Sequence, residues 1–490
     1  MSACPWETGL KTLFIIAALL ASVLTAEPTV AQTERYTVEQ VQADFIQLYT
    51  DLEIAHYDLY ANVSEAEYQA EFDRLYQGID RDMTELEARI YFQRFVAFGD
   101  IAHATLDLPI PDFLAYAAND GPVIPLLLSF DGQTATIDRL HGTDPFAHAG
   151  QSLLSINGQP TADWIEALSA FIAADNQAMA NTLIDRLFPL VVWLESGDRD
   201  HYTLQIQTDN GIVEQTLPAI TFGQFQDLAA GPASDDAQPA ASEPRQARML
   251  DHNIAYLRPG PFSNLDETSD DNWDATRFHA FIDQSFEQFI AADATALLMD
   301  LRDNPGGSNS FSDHMLAWII DQPFRFASDF SVRVSPQAQR AIQARLANST
   351  EPNSTDAQLL QRFDQLQTGD RFSFDLPFQA PRDGARFTAP VYVLIDRYSY
   401  SNAVSVAAIL QDYDAAIVLG EPTTDLATTY AAMEHFTLDQ TGLRVGFPKA
   451  LIVRPNGNRQ PAGVTPDHAL GADTDMLRQA VNLIGASTED

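Results

Sequence analysis

Over residues 34–100 apolar side chains recur at three- and four-residue steps, a period that predicts amphipathic helices at 38–60, 64–80 and 84–98. Ser64 stands just ahead of Glu65 and Glu67, and Thr84-Glu-Leu-Glu87 reads as a capping box before an apolar run. These helices are expected to pack as a small N-terminal cap. From about residue 105 the period shortens. Alternating runs at 123–130, 135–138, 153–156 and 201–206 read as strands, Asp131-Gly132 and Asn157-Gly158 as turns, and 161–173 as a helix. After residue 250, strand-like and helix-like segments alternate. Strands are expected at 254–257, 296–300, 391–395 and 416–419, and helices at 273–291, 310–320 and 403–411. That spacing argues for an α/β core, to which strand pairs near 372–378 and 443–448 add antiparallel pieces.

Two further stretches have their own character. Residues 13–24 are a short apolar run preceded by Lys11 and followed by the small-residue stretch Thr29-Val-Ala31. The run reads as a secretory signal over 1–31, cleaved near Ala31, with a retained anchor as the alternative. Residues 229–247, rich in Ala, Pro, Ser and Asp, read as a linker or surface excursion. The expected organisation is therefore a leader (1–31), a helical cap (32–104), a small mixed module (105–228), the linker (229–247) and an α/β core (248–490).

Charge and cysteine content narrow the classes. The chain has 28 Lys and Arg against 68 Asp and Glu, a formal charge of −40. Such a surface repels nucleic acid and anionic lipid, which argues against both as partners, and the acidic residues are spread as a solvated face. The only cysteine, Cys4, lies in the leader, so the exported chain has no disulfide, thiol nucleophile or thiolate metal site. The histidines form no metal-ligand spacing, and neither a metal nor a cofactor is implied.

Candidate chemistry lies at two strand-to-helix corners. In the first, the apolar strand 296–300 ends in Arg302-Asp-Asn-Pro-Gly-Gly307, where two glycines allow bare amides to face an oxyanion. An ordinary turn over an Asp300–Arg302 pair fits the same residues. In the second, strand 391–395 leads through a short polar turn to Ser401 at the start of a small-residue helix, where developing negative charge is stabilised. A plain N-cap is the alternative there. Asn402 offers its amide to the same place, while Ser399 and Ser405 are weaker rivals for the nucleophile.

The pair "LLMDLRDNPGG" (297–307) and "VYVLIDRYSYSNAVSVAAILQDYDAAIVLGEPT" (391–423), with the trailing "LRVGFPKALIVRPNG" and "PAGVTPDHAL", resembles the S41 peptidases, the C-terminal processing or tail-specific proteases. The stretch 151–160, ending in Ser-Ile-Asn-Gly-Gln-Pro160, similarly resembles a PDZ-like strand and turn. The resemblance implies a ClpP/crotonase-like mixed α/β catalytic core with an N-terminal helical cap and a degenerate PDZ-like module. It implies Ser401 as nucleophile and the amides of Gly306 or Gly307 and of Asn402 as oxyanion donors. Processing proteases place a general-base lysine shortly after "GEPT", where this chain has Leu426. Lys449, the only lysine after the leader, reads as a surface residue.

That departure points toward the tricorn-core or retinoid-binding-protein-like branch, in which a histidine at the end of the cap is the base. His103, in Gly99-Asp-Ile-Ala-His-Ala-Thr105, matches it, with His435 next in line and His141, His148 and His252 read as turn or surface residues. The acid that would orient the base falls at Gln460, leaving Glu434, Glu421 or Asp467 as substitutes. The implied function is an exported, periplasmic or extracellular serine endopeptidase acting through an acyl-enzyme on peptide or protein substrates. A non-catalytic scaffold holding peptides or hydrophobic ligands is the alternative.

Overall fold

A computed structural model describes residues 35–230, 244–266, 268–269, 271–347, 354–471 and 475–488. The leader expected over 1–31 lies outside the described residues, as does most of the segment 229–247. Among the described residues no helix is long and apolar enough to cross a membrane.

The N-terminal helices α1 (Val38–Ala55), α2 (Glu65–Gly78) and α3 (Glu85–Ala97) form where the apolar period requires them. Each opens with a reciprocal capping box: Thr37 with Gln40, Ser64 with Glu67, Thr84 with Glu87. A box satisfies two of the amide donors left over at a helix start, so these ends are well specified. Phe45, Leu52, Tyr68, Phe92 and Phe95 pack inward as one aromatic-rich cluster. After α3 the chain makes a tight turn through residues 100–104 and extends into β1 (Thr105–Leu106).

An antiparallel unit follows, with β2 (Leu126–Asp131), β3 (Thr134–Leu140), β4 (Ser152–Ile156), β5 (His201–Thr208) and β6 (Gly211–Pro218) neighbouring one another in chain order. Asn157 and Gly158 both have positive φ, the conformation a two-residue hairpin turn requires. Between β4 and β5 lie α4 (Thr161–Ser169), α5 (Gln177–Arg186) and α6 (Phe188–Ser196). Only the first was expected from the pattern. Helix α6 is apolar nearly all round, so it shows no amphipathic stripe.

The rest of the chain builds two sheets. The first takes β7 (Gln246–Met249), β8 (Ile254–Arg258), α7 (Thr276–Ala291), β9 (Ala296–Asp300) and α8 (Asn309–Leu316). The second begins with β10 (Asp329–Arg333), α9 (Pro336–Ala347) and β11 (Arg371–Ser373). The chain then returns to the first through β12 (Val391–Ile395), α10 (Asn402–Asp412) and β13 (Ile417–Gly420). It adds β14 (Thr429–Thr437) and β15 (Arg444–Val453) to the second, and closes with β16 (His468–Ala469) and α11 (Met476–Thr488) on the first. The first sheet has the order β7-β8-β9-β12-β13-β16 and is parallel except for β7 against β8. Leu297 and Met299 face the α7/α8/α10 side and Leu298 the α11 side, so both faces are buried and the strands read as continuous apolar runs. The second sheet, β11-β10-β15-β14, is antiparallel, and β1 adds to β15 with Thr105 opposite Gly446.

The expected ClpP/crotonase-like mixed α/β core with a helical cap is corrected by this arrangement. Strand–helix alternation reports only the parallel sheet. The antiparallel sheet has a separate core, which it shares with α1–α3, so Val332, Val445 and Phe447 pack in the same cluster as Phe45 and Phe92. The cap helices and that sheet are one packed layer, and β1 ties them together.

A second correction concerns Lys449. It is not a surface residue. It lies on β15 with 4% of its surface exposed, its Nζ 2.6 Å from Glu434 of β14. Arg345 of α9 grips the same carboxylate with two bonds of 2.7 and 2.8 Å and also holds Asp356. Burial pushes Glu434 upward, but Lys449 and Arg345 together overcome it and hold the carboxyl down at about 2.

Replacing Glu434 by Ala leaves two cations facing each other in a dry site and is expected to cost about 3–5 kcal/mol in denaturant unfolding. Because its pKa is depressed in the fold, Glu434's contribution is fully present above its unfolded value and is lost as pH falls toward about 2. A melting temperature unchanged in Glu434→Ala would contradict this account.

Candidate active site

Parallel strands β9 and β12 run side by side, Asp300 opposite Leu394, and the two corners singled out in the sequence leave the same carboxyl edge of the sheet. Ligand sites in parallel sheets form at such edges. The first corner is anchored by Asp300, a buried carboxylate that receives Arg302 at 2.9 and 2.7 Å and the Tyr256 hydroxyl at 2.8 Å. The Asp300–Arg302 pair of the plain-turn reading is thus present, and it supports the glycine turn above it. Asn304 extends that support: its Oδ1 accepts from Gly306 N–H at 2.9 Å, its carbonyl from Tyr400 N–H at 2.9 Å, and its Nδ2 donates to Gly260 O.

Gly306 has φ +87° and Gly307 φ +130°. A Cβ at Gly306 would lie 2.6 Å from both Asn402 N and Tyr400 O and 2.8 Å from Ser401 Cβ. The glycine turn and the serine turn are therefore in direct backbone contact. The Gly306 N–H is committed to Asn304, whereas the amides of Gly307 and Asn402 enter no hydrogen bond among the described residues. Asn402 is the first residue of α10, so its amide is one of the donors a helix start leaves open.

Ser401 itself is at φ 52°, ψ −121°, a conformation non-glycine residues adopt rarely and at a cost of about 1–3 kcal/mol. It makes no N-cap bond with its side chain. Its N–H donates instead to Asp425 Oδ2. The rival Ser399 is fully buried, with its hydroxyl donating to Leu301 O at 2.8 Å, so it belongs to the scaffold. Ser405 lies within α10.

His103 arrives from the other layer. The turn after α3 and the pairing of β1 on β15 place its ring against Tyr400, the residue before Ser401, with ring centroids 5.7 Å apart and planes 23° from parallel. The ring is 3% exposed, and neither nitrogen has a hydrogen-bond partner among the described residues. Burial alone lowers its pKa to about 4, below the range near 6–7 expected of an ordinary histidine, so the imidazole is neutral at neutral pH. His103 and Ser401 are thus brought to the same corner, without a hydrogen bond between them.

The other candidates are spoken for. His435 lies on β14 against Gly446, and burial together with Arg444 holds it neutral down to about 3. Glu434 serves Lys449 and Arg345. Asp467 binds the Val418 amide and Gln411, and Glu421 lies 3.8 Å from Arg397. Gln460 is exposed. Leu426 sits beside the residue that does touch the site, Asp425, which the motif comparison passed over. One aspartate in a chain with 68 acidic residues carries no signal of its own.

Helix α5 also reaches the corner. Arg186 pairs with Asp303 and covers the Tyr398 ring at 5.1 Å, Asp185 accepts from the Tyr398 hydroxyl, and Asn176 Nδ2 donates to Thr424 O at 3.1 Å. The antiparallel unit thereby braces both turns. Nothing in the sequence pattern pointed to α5.

The profile of peptidase family S41 matches residues 253–470, the span that holds both corners. Among solved structures, the fold is similar to that of mature CPAF complexed with lactacystin, at 14% identity and a TM-score of 0.61, covering 92% of this chain and 97% of that one. It is similar also to mature CPAF alone, at 14% identity and a TM-score of 0.57, covering 88% and 93%. No curated protein matches the chain. These likenesses replace the expected ClpP/crotonase-like core with an S41-type catalytic domain carrying a PDZ-like extension.

Gly306→Ala is expected to push the serine turn off its position and lower peptide-bond hydrolysis by about two orders of magnitude while circular dichroism stays native. Wild-type turnover in the folded variant would show that the contact between the two turns is dispensable.

Proposed function

We propose how this chain, a serine peptidase of family S41 that acts on peptide bonds, carries out its chemistry: Ser401 is the nucleophile, His103 the general base, and the Gly307 and Asn402 amides the oxyanion donors. The observation that carries the assignment is the buried, neutral His103 ring with both nitrogens unpartnered, stacked on the neighbour of a strained serine. Leaving such a group unsatisfied costs about 1–3 kcal/mol, a cost that functional sites sustain.

In the reaction, Ser401 Oγ bonds to the scissile carbonyl carbon as its proton passes to His103. The carbonyl oxygen becomes an oxyanion held by the two amides. Collapse breaks the C–N bond, and His103 returns the proton to the leaving amine. Water then bonds to the acyl carbon as its proton passes to His103, and collapse breaks the ester C–Oγ bond, with His103 returning the proton to Ser401 Oγ as the acid leaves. Gly306 acts as the spacer that lets the two turns touch.

Two features support reading the chain as a member of the family's branch without a dyad lysine. Position 426 is Leu, and the Lys449 ammonium is locked to Glu434. The apolar run at 13–24 and the charge of −40 support export to a periplasmic or extracellular site.

Ser401→Ala is expected to abolish turnover of a quenched peptide in a folded protein, and His103→Ala to remove nearly as much. Lys449→Met, which leaves Glu434 paired with Arg345, should retain it. In the wild type kcat/KM should rise as the imidazolium loses its proton near the lowered value of about 4. Full activity in His103→Ala would refute the base assignment.

A further inference from the structure

Beneath the two reacting residues lie two carboxyls that the reaction as described does not use. Asp425, 1% exposed, accepts from the amide of Ser401 through Oδ2 and from that of Leu426 through Oδ1. Asp175, at the end of the loop before α5 and partly open to solvent, accepts from the amide of Ala102 at 3.1 Å and from the Thr429 hydroxyl at 3.3 Å. One carboxyl therefore holds the nucleophile's backbone, and the other holds the residue before His103. Residues adjoining them on the two loops are bonded to each other, Asn176 Nδ2 to Thr424 O, and Asp425 feels the charge of Asp175.

Among the described residues no cation is paired with either one. Asp425 feels the charge of Asp175, and Asp175 feels that of Asp100 of the turn after α3. Tyr430 of β14 feels the charge of Asp175, and His103 is the remaining titratable group on the 100–104 turn. Two unneutralised carboxylates on loops bonded to each other repel, and one of them keeps its proton.

We propose that Asp425 and Asp175 act together as positioning residues that join the Ser401 turn to the His103 turn, that the pair holds one proton at its working pH, and that loss of this proton on the alkaline side loosens the two turns and slows turnover. This rests on the assignment of Ser401 and His103 as the reacting groups. Burial, with the charge of Asp175 added, raises Asp425 to about 7, and burial chiefly raises Asp175 to about 6, so the loss falls near neutral pH. The extension that supplies Asp175 is then part of the catalytic geometry, besides bracing it from outside.

Two measurements separate this proposal from the assignment it rests on. In kinetics, wild-type kcat should fall several-fold between about pH 6 and about pH 8.5 with KM little changed, and in Asp175→Asn that ratio should approach one whatever the absolute rate. Asp425→Ala, which removes the partner of the Ser401 amide, should lose at least about tenfold in kcat. In stability, the test uses Ser401→Ala, where no nucleophile is present. The native pair binds protons more tightly than the unfolded chain. Its contribution to the melting temperature should therefore decline from about pH 4 to about pH 7, and the decline should shrink in Ser401→Ala/Asp175→Asn. Superimposable pH–kcat profiles for wild type and Asp175→Asn would overturn the proposal, as would equal melting profiles in the Ser401→Ala background. An active Ser401→Ala protein would instead sink the nucleophile assignment, with the melting arm still deciding whether the pair holds the proton.

Discussion

Ser401 sits where an L-residue does not rest unaided. At φ 52° and ψ −121° its backbone is held by a hydrogen bond that its N–H donates to Asp425 on one side and by the bare backbone of Gly306 on the other. Most of the surrounding architecture can be traced from those two contacts. Gly306 can approach only because Asn304 ties down the glycine turn, and Asn304 is positioned because Asp300, Arg302 and Tyr256 close the end of β9. Asp425 is in place because the loop between β13 and β14 is pinned, with Thr423 accepting from Val464 N–H and Ala427 donating to Ala462 O. Strain of about 1–3 kcal/mol persists only where neighbours over-determine the conformation, and here they do so from both sides.

The proposed base reaches this corner by a separate route. His103 is carried by the antiparallel layer, through the capped helix α3 and the short pairing of β1 on β15. The Glu434–Lys449–Arg345 group stiffens β14, β15 and α9 of that same layer. The PDZ-like extension touches both sides, with Asp175 on the His103 turn and Arg186 and Asp185 on the serine and glycine turns. The proposed nucleophile and base thus come from different sheets, and a third unit spans the joint.

Much of this was legible in the sequence, for identifiable reasons. The capping boxes at Ser64 and Thr84, the Asn157-Gly158 turn and the doubly buried parallel strands each express a local rule, and each formed where expected. The two catalytic corners were visible because apolar strands end there in glycines or small polar residues. What stayed hidden is long-range. Lys449 read as surface because its partner Glu434 is 15 residues away on β14, and Arg345, which shares that carboxylate, is more than a hundred away on α9. Asp425 and Asp175 are ordinary aspartates until folding lays their loops side by side. The core expectation failed for the same reason. Alternating strands and helices specify a parallel sheet, while a second sheet that shares its core with the first three helices leaves no periodic trace.

The central claim is that Ser401 is activated by a neutral histidine with no lysine involved. Its most direct test is covalent. Mature protein is exposed to a fluorophosphonate across pH, and the adduct is located by peptide mass spectrometry. The account predicts a single adduct on Ser401, formed in the wild type and in Lys449→Met but at least about a hundredfold more slowly in His103→Ala. An adduct that forms equally fast without His103, or a folded wild-type protein that takes no label at Ser401, would contradict it.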